Sequence, residues 1–126
     1  MRVAVLGASC FGMNLSRHLL IRGDEVLMVS RSPIRTPPFT LGLKVNPAFR
    51  YVRAHLVYGH REVVDALDDF APELIVNFAA LCEVGNSWNF PIDYYETNVM
   101  ALVRLCEELR QRTWFKRFVQ VGSSEV

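Results

Sequence analysis

The chain has 126 residues, 51% of them hydrophobic, which fits one domain spanning 1–126 with a core of its own. Fourteen basic and 13 acidic residues leave a net charge of +1, so no strong field draws nucleic acid or an anionic membrane. Three separated cysteines (Cys10, Cys82, Cys106), with no C-x-x-C pair and no histidine at ligand spacing, argue against a zinc site or a disulfide framework. No apolar run approaches a membrane span, and the first residues lack a signal-type apolar stretch. The expectation is a cytoplasmic protein with no metal.

Residues 2–6 form a short apolar run, as a buried parallel strand should. Gly7 and Gly12 follow, then Phe11, Leu15 and Leu19 at helical spacing, closed by Gly23-Asp24. A second apolar strand is predicted over 25–30. Residues 31–49 contain Pro33, Pro37, Pro38 and Pro47 without periodicity and read as a long, partly ordered loop. Residues 50–57 are a candidate third strand. Val63, Val64, Leu67 and Phe70 mark a helix over about 60–70, and Pro72 ends it. A fourth strand is predicted over 73–78, followed by a loop up to Pro91. Tyr95, Val99, Leu102, Leu105 and Leu109 stripe one long helix over about 92–111, and a fifth strand falls at 118–121. The late basic residues Arg104, Arg110, Arg112, Lys116 and Arg117 read as a solvated helix face and loop. Alternating strands and helices imply an α/β fold with a parallel sheet.

The turn Gly7-Ala8-Ser9-Cys10-Phe11-Gly12 lies between a strand and a helix. In that position free N–H groups at the helix start face a phosphate, and glycine lets the backbone come close. A plain strand-to-helix turn that binds nothing is the competing reading. At the end of the second strand, where NAD-binding folds place an acid on the ribose, stand Ser30, Arg31 and Ser32. A missing acid beside an arginine favours a 2′-phosphate, hence NADP over NAD. A solvated loop arginine is the alternative.

Three stretches carry a family resemblance. Pro72-Glu73-Leu74-Ile75-Val76-Asn77-Phe78-Ala79-Ala80 is one. The second runs through Val84, Ser87, Trp88, Pro91, Tyr94-Tyr95 and Thr97-Asn98-Val99. The third is Arg117-Phe118-Val119-Gln120-Val121-Gly122-Ser123-Ser124-Glu125-Val126. Together they resemble the extended short-chain dehydrogenase/reductases of the NAD-dependent epimerase/dehydratase family that act on nucleotide sugars. The resemblance covers nearly all of these residues and implies a Rossmann-like three-layer fold. Its truncated parallel sheet would have about five strands in the order 3-2-1-4-5.

The resemblance also implies roles. Gly7, Ser9, Cys10, Phe11 and Gly12 would surround the cofactor pyrophosphate, and Arg31 its adenosine ribose. Leu56, Ala79, Ala80 and Leu81 would line the cofactor, and Asn98 would buttress the site through the backbone. Ser123 falls where the family bonds the sugar hydroxyl being oxidised, and Glu125 where 4,6-dehydratases place a base. A polar tail is the plain alternative for both. In the family, hydride passes from sugar C4 to the nicotinamide while a tyrosine of a Tyr-x-x-x-Lys motif takes the proton.

The chain departs from the pattern at four places. It has Gly-x-x-x-x-Gly, one residue shorter than the family turn, which predicts weakened cofactor binding. His55 stands where an aspartate contacts adenine, Glu83 replaces a polar residue, and Ala101-Leu102 replaces a Gly-Thr pair. No Tyr-x-x-x-Lys occurs in the 126 residues. The expectation is a cofactor-binding portion of a nucleotide-sugar dehydratase or epimerase, without turnover by itself. A standalone nucleotide-binding or regulatory module, or a partner subunit, stays open. The exposed fifth strand and the 92–111 helix predict an apolar surface for a homo-oligomer or partner chain.

Overall fold

A computed structural model describes residues 1–34 and 42–123. Pro37, Pro38, Ser124, Glu125 and Val126 lie outside the described residues. In chain order the elements are β1 (Arg2–Leu6), α1 (Cys10–Ile21), β2 (Glu25–Ser30), β3 (Phe49–Arg53) and α2 (His60–Phe70). Then come β4 (Leu74–Asn77), α3 (Val84–Asn89), α4 (Pro91–Tyr95), a π-helical turn (Glu96–Met100), α5 (Ala101–Leu109) and β5 (Arg117–Gln120). All strand pairs are parallel, in the order β3-β2-β1-β4-β5. The alternation of elements predicts the parallel α/β sheet, and the family resemblance implies its Rossmann-like strand order; both are found.

Period-two alternation sorts the central strands onto two faces. Ala4, Leu6, Leu27, Val29 and Ile75 pack with Val63, Leu67 and Phe70 of α2 and with Leu105 and Leu109 of α5. Val3, Val5, Val26, Met28 and Val76 pack with Met13 and Leu19 of α1 and with Leu43. Burying each of the larger of these side chains contributes about 1.5–3 kcal/mol, so the sheet is held from both sides. Val3, Val5, Leu6, Leu27 and Ile75 are fully buried, which is why β1, β2 and β4 read as unbroken apolar runs.

Three predicted boundaries are corrected. β3 ends at Arg53 rather than running to residue 57, because the chain turns at His55. The loop before Pro91 contains α3, which buries no residue and therefore leaves no apolar period in the sequence. The single helix over 92–111 is three pieces, α4, the π turn and α5. The extra residue of the π turn rotates the helix face, so Ala101, Leu105 and Leu109 are buried while Tyr95 and Val99 are exposed.

The late basic cluster is largely neutralised. Arg104 pairs with Glu96, Arg110 with Glu107, Arg112 with Asp68 and Glu108, and Lys116 with Glu73. The Arg112 guanidinium and the Trp114 indole both donate to Asp68, and the arginine holds that carboxyl below its ordinary range. Such exposed pairs add little stability singly, but they remove any basic patch. No helix among the described residues is long and apolar enough to cross a membrane. No group of His, Cys, Asp and Glu among them is arranged to hold a metal ion.

A candidate dinucleotide cleft at the strand ends

The sheet order reverses direction between β1 and β4, and a crevice opens there beyond the carboxyl ends of the strands. A cleft of about 230 Å³ occupies this place. Its walls come from Gly7–Ser9, from Val29–Pro33, from Ala54–Leu56, from Phe78–Leu81, and from Thr97.

Gly7 is the hinge of the site. Its N–H donates to Val29 O at 2.8 Å, and its φ of +94° is one that side-chain-bearing residues rarely adopt. A Cβ on Gly7 would lie 2.8 Å from Ala79 N and 3.0 Å from Ala79 Cα. The turn after β1 and the loop after β4 therefore meet backbone to backbone. Gly12 plays a different part: its missing Cβ makes room for the Gly7 carbonyl, seating α1 on the turn. It is buried and packs rather than facing the cleft.

The shortened turn is closed by Ser9, the N-cap of α1, whose Oγ accepts from Gly12 N at 3.1 Å. The N–H groups of Cys10 and Phe11, in the first helical turn, have no intrahelical acceptor. Both residues are exposed at the helix start. The Cys10 and Phe11 side chains are not among the cleft walls, whereas Ser9 is.

Opposite, Asn77 orders the small-residue loop. It is only 4% exposed. Its Oδ1 accepts from Ala79 N at 3.0 Å, and its Nδ2 donates to Gln120 Oε1 of β5 at 2.8 Å. Further along, Asn98 on the π turn grips Leu81 with both ends of its amide. Its Oδ1 accepts from Leu81 N and its Nδ2 donates to Leu81 O, each at 2.8 Å. One side chain thus fixes the peptide groups that frame the far wall, and neighbouring Thr97 joins that wall. π turns of this kind recur at functional sites.

At the β2–β3 end of the cleft, β3 side chains hold the segment after β2. Tyr51 donates to Ser32 O at 2.6 Å, and Arg53 Nε donates to Arg31 O at 3.1 Å. Arg31 and His55 share the cleft wall. Burial first and then the Arg31 charge push the His55 pKa below its ordinary value, favouring the neutral ring.

A second hollow of about 300 Å³ adjoins the cleft and shares Arg31, Ala80 and Leu81 with it. Glu83, Asn86, Asp93 and Tyr94 line it. Tyr94 donates to Glu83 O at 2.6 Å, and Asn86 donates to the Glu83 carboxylate. Ser123 lies three residues beyond β5 and is exposed. Glu125 is outside the described residues.

The sequence model of the NAD dependent epimerase/dehydratase family matches residues 3–126. The chain belongs to this family. A UDP-glucose 4-epimerase of Klebsiella pneumoniae is 29% identical over 130 aligned positions, which span 100% of this chain and 91% of that protein. MoeE5, solved with UDP-glucose and NAD, is 29% identical with a TM-score of 0.80. A UDP-glucose-4-epimerase from Stenotrophomonas maltophila, solved with bound NAD and formylated UDP-arabinopyranose, shares the fold at 22% identity and a TM-score of 0.83. All of this chain is covered in both structural comparisons, but it spans 38% of each of those two chains.

Sequence reasoning placed Gly7, Ser9, Arg31, Leu56, Ala79, Ala80 and Leu81 at the cofactor, and they line one cleft. It gave no role to Asn77, although that residue stands inside the quoted motif. An amide at the end of an otherwise apolar buried strand was the available signal.

Proposed function

We propose that the chain binds a nicotinamide adenine dinucleotide in the cleft and, within a whole protein, serves an enzyme acting on a nucleotide sugar. The observation that carries this reading is the Gly7 turn pressed against the Ala79 backbone, with the start of α1 at the crevice. A side chain at Gly7 would push this tight turn away from the Ala79 backbone and with it the start of α1 that would face the pyrophosphate. Gly7, Ser9 and the first turn of α1 would hold the pyrophosphate, Ser30 and Arg31 the adenosine ribose, and Ala79–Leu81 the ribose next to the nicotinamide. When bound, the nicotinamide supplies reversible hydride acceptance. The chain's own contribution is to orient it, with Asn77 and Asn98 fixing the facing loop. The related proteins solved with UDP-glucose or formylated UDP-arabinopyranose support a nucleotide-sugar substrate. The hollow around Glu83 and Tyr94 adjoins the nicotinamide end and is the place we assign to it.

The finer choice is NADP over NAD. Those two relatives were solved with NAD, but here Ser30 replaces a ribose-binding acid, and Arg31 and Arg53 meet at the same rim. A 2′-phosphate placed there gains charge-assisted contacts and meets no carboxylate. NADPH is expected to bind at least about tenfold more tightly than NADH, a difference of about 1.4 kcal/mol. Arg31→Ala should remove that preference, lowering NADPH affinity far more than NADH affinity. Fluorescence titration of the reduced cofactors checks this, and tighter binding of NADH to the unmodified chain overturns it. The 126-residue chain has no Tyr-x-x-x-Lys, so it should bind cofactor without turning over UDP-glucose. Measurable turnover by the pure chain is the contrary result.

We also assign a partner contact to the apolar face over α3–α5. Trp88, Ile92, Tyr95 and Val103 are each at least half exposed there, a density of large apolar groups that favours association. Light scattering at micromolar concentration should report a species larger than a monomer, and a clean monomer removes this assignment.

A further inference from the structure

His55 is held unusually firmly for a residue beyond the end of a strand. Its carbonyl accepts from Gly59 N at 2.7 Å. Its Nδ1 accepts from Val57 N at 3.1 Å and lies 3.4 Å from Tyr58 N, a second donor. The Tyr58 ring leans on the imidazole with centroids 4.8 Å apart. A Cβ on Gly59 would come within 3.1 Å of both His55 N and His55 O, so the turn closes tightly around this residue.

These contacts decide the tautomer. A neutral imidazole carries one N–H and one acceptor nitrogen. With Nδ1 committed as the acceptor, the proton sits on Nε2, and the only polar ring atom left for a ligand is a donor. The topology says what that donor would meet. Neighbouring parallel strands lie about 4.8 Å apart, so the rim from β1 through β2 to β3 spans about 10 Å. With pyrophosphate at the β1 turn and ribose at the end of β2, the base falls at the end of β3, beside Ala54, His55 and Leu56.

We infer that His55 reads the nucleotide base as a hydrogen-bond donor through Nε2–H, so that the chain does not require the 6-amino group of adenine. This rests on the dinucleotide reading above. A carboxylate at the same place accepts from the 6-amino group and repels a 6-carbonyl. A donor instead meets a lone pair on the edge that both bases offer unchanged: N7 of adenine or hypoxanthine, or the 6-carbonyl oxygen beside it in hypoxanthine. The site is therefore indifferent to the exchange of amino for oxo, while shape and the apolar side chains of Ala54 and Leu56 still select a purine.

The test compares NADPH with deamino-NADPH, and NADH with deamino-NADH, in which hypoxanthine replaces adenine. Affinities are read by the fluorescence of the reduced nicotinamide, so no turnover is needed. For the unmodified chain, each deamino cofactor should bind within about threefold of its adenine counterpart. His55→Asp should weaken the deamino cofactor at least about tenfold relative to the adenine one, by introducing an acceptor that faces the oxo group. Aspartate can itself accept from backbone N–H groups two or three residues on, so the turn is kept, and an unchanged thermal midpoint verifies this. The comparison on the unmodified chain stands without the variant. A preference of tenfold or more for adenine in the unmodified chain overturns the inference, as does a His55→Asp ratio equal to the original. If none of the four cofactors binds, the dinucleotide reading itself falls, and this inference with it.

Discussion

Gly7→Ala is expected to abolish measurable dinucleotide binding and to lower the folding stability of the chain by about 3 kcal/mol or more, judged from strain of about 1–3 kcal/mol for a non-glycine residue at such a φ plus a backbone clash. Two independent costs converge. The φ of +94° is unfavourable for any L side chain. The new Cβ would also stand 2.8 Å from Ala79 N, a backbone atom held by Asn77, so no flexible group can yield. Relief requires the β1 turn and the β4 loop to part, which widens the crevice that the pyrophosphate should span. Urea unfolding gives the stability change and NADPH titration gives the binding. Gly85→Ala is the control: a Cβ there meets nothing within 4 Å, so affinity should stay as in the parent chain and stability should be unchanged or raised by up to about 1 kcal/mol. A Gly7→Ala protein with parental stability and affinity would show that the turn does not press on Ala79 in solution.

How much of this was legible in the residues depends on whether the signal was local. β1, β2 and β4 could be read because buried parallel strands carry apolar residues toward both faces, leaving runs such as Val3–Leu6 and Val26–Val29. The glycine turn was legible for the same kind of reason, since Gly7 must adopt a conformation that few residues tolerate. The end of β3 was not. Residues 54–57 look like a continuing strand, yet the imidazole of His55 takes the N–H of Val57 and faces that of Tyr58, drawing the backbone out of the ladder. A side chain competing for backbone donors leaves no periodicity to detect. The π turn escaped for a related reason. Tyr95, Val99, Leu102, Leu105 and Leu109 keep helical spacing, and spacing alone does not reveal one extra residue that turns the face. Asn98 shows why the turn is there, because from it the side chain reaches both polar groups of Leu81.

The second large effect is expected at Asn77, where the sheet and the site are coupled. Asn77→Leu keeps the approximate volume but removes both hydrogen bonds. It leaves the N–H of half-buried Ala79 without its partner, whereas the exposed Gln120 side chain can turn to water. The cost should be about 1–3 kcal/mol, since an orphaned polar group is costlier than the bond it replaces is favourable. The loss should divide unequally between two readouts. The Gln120 bond joins β4 to the edge strand β5, so its loss appears as a lower unfolding midpoint. The Ala79 bond fixes the loop that faces Gly7, so its loss appears as weaker NADPH binding at temperatures where the chain is still folded. Asn77→Asp separates the two. Its carboxylate still accepts from Ala79 N, and Gln120 can turn its amide to donate, giving up its present bond to Val121 O. Affinity should therefore recover further than stability, because a buried carboxylate carries a desolvation penalty that the loop geometry does not feel. Equal recovery of both would mean that Asn77 acts only as a link between strands and that the Ala79–Leu81 loop is positioned by Asn98 alone.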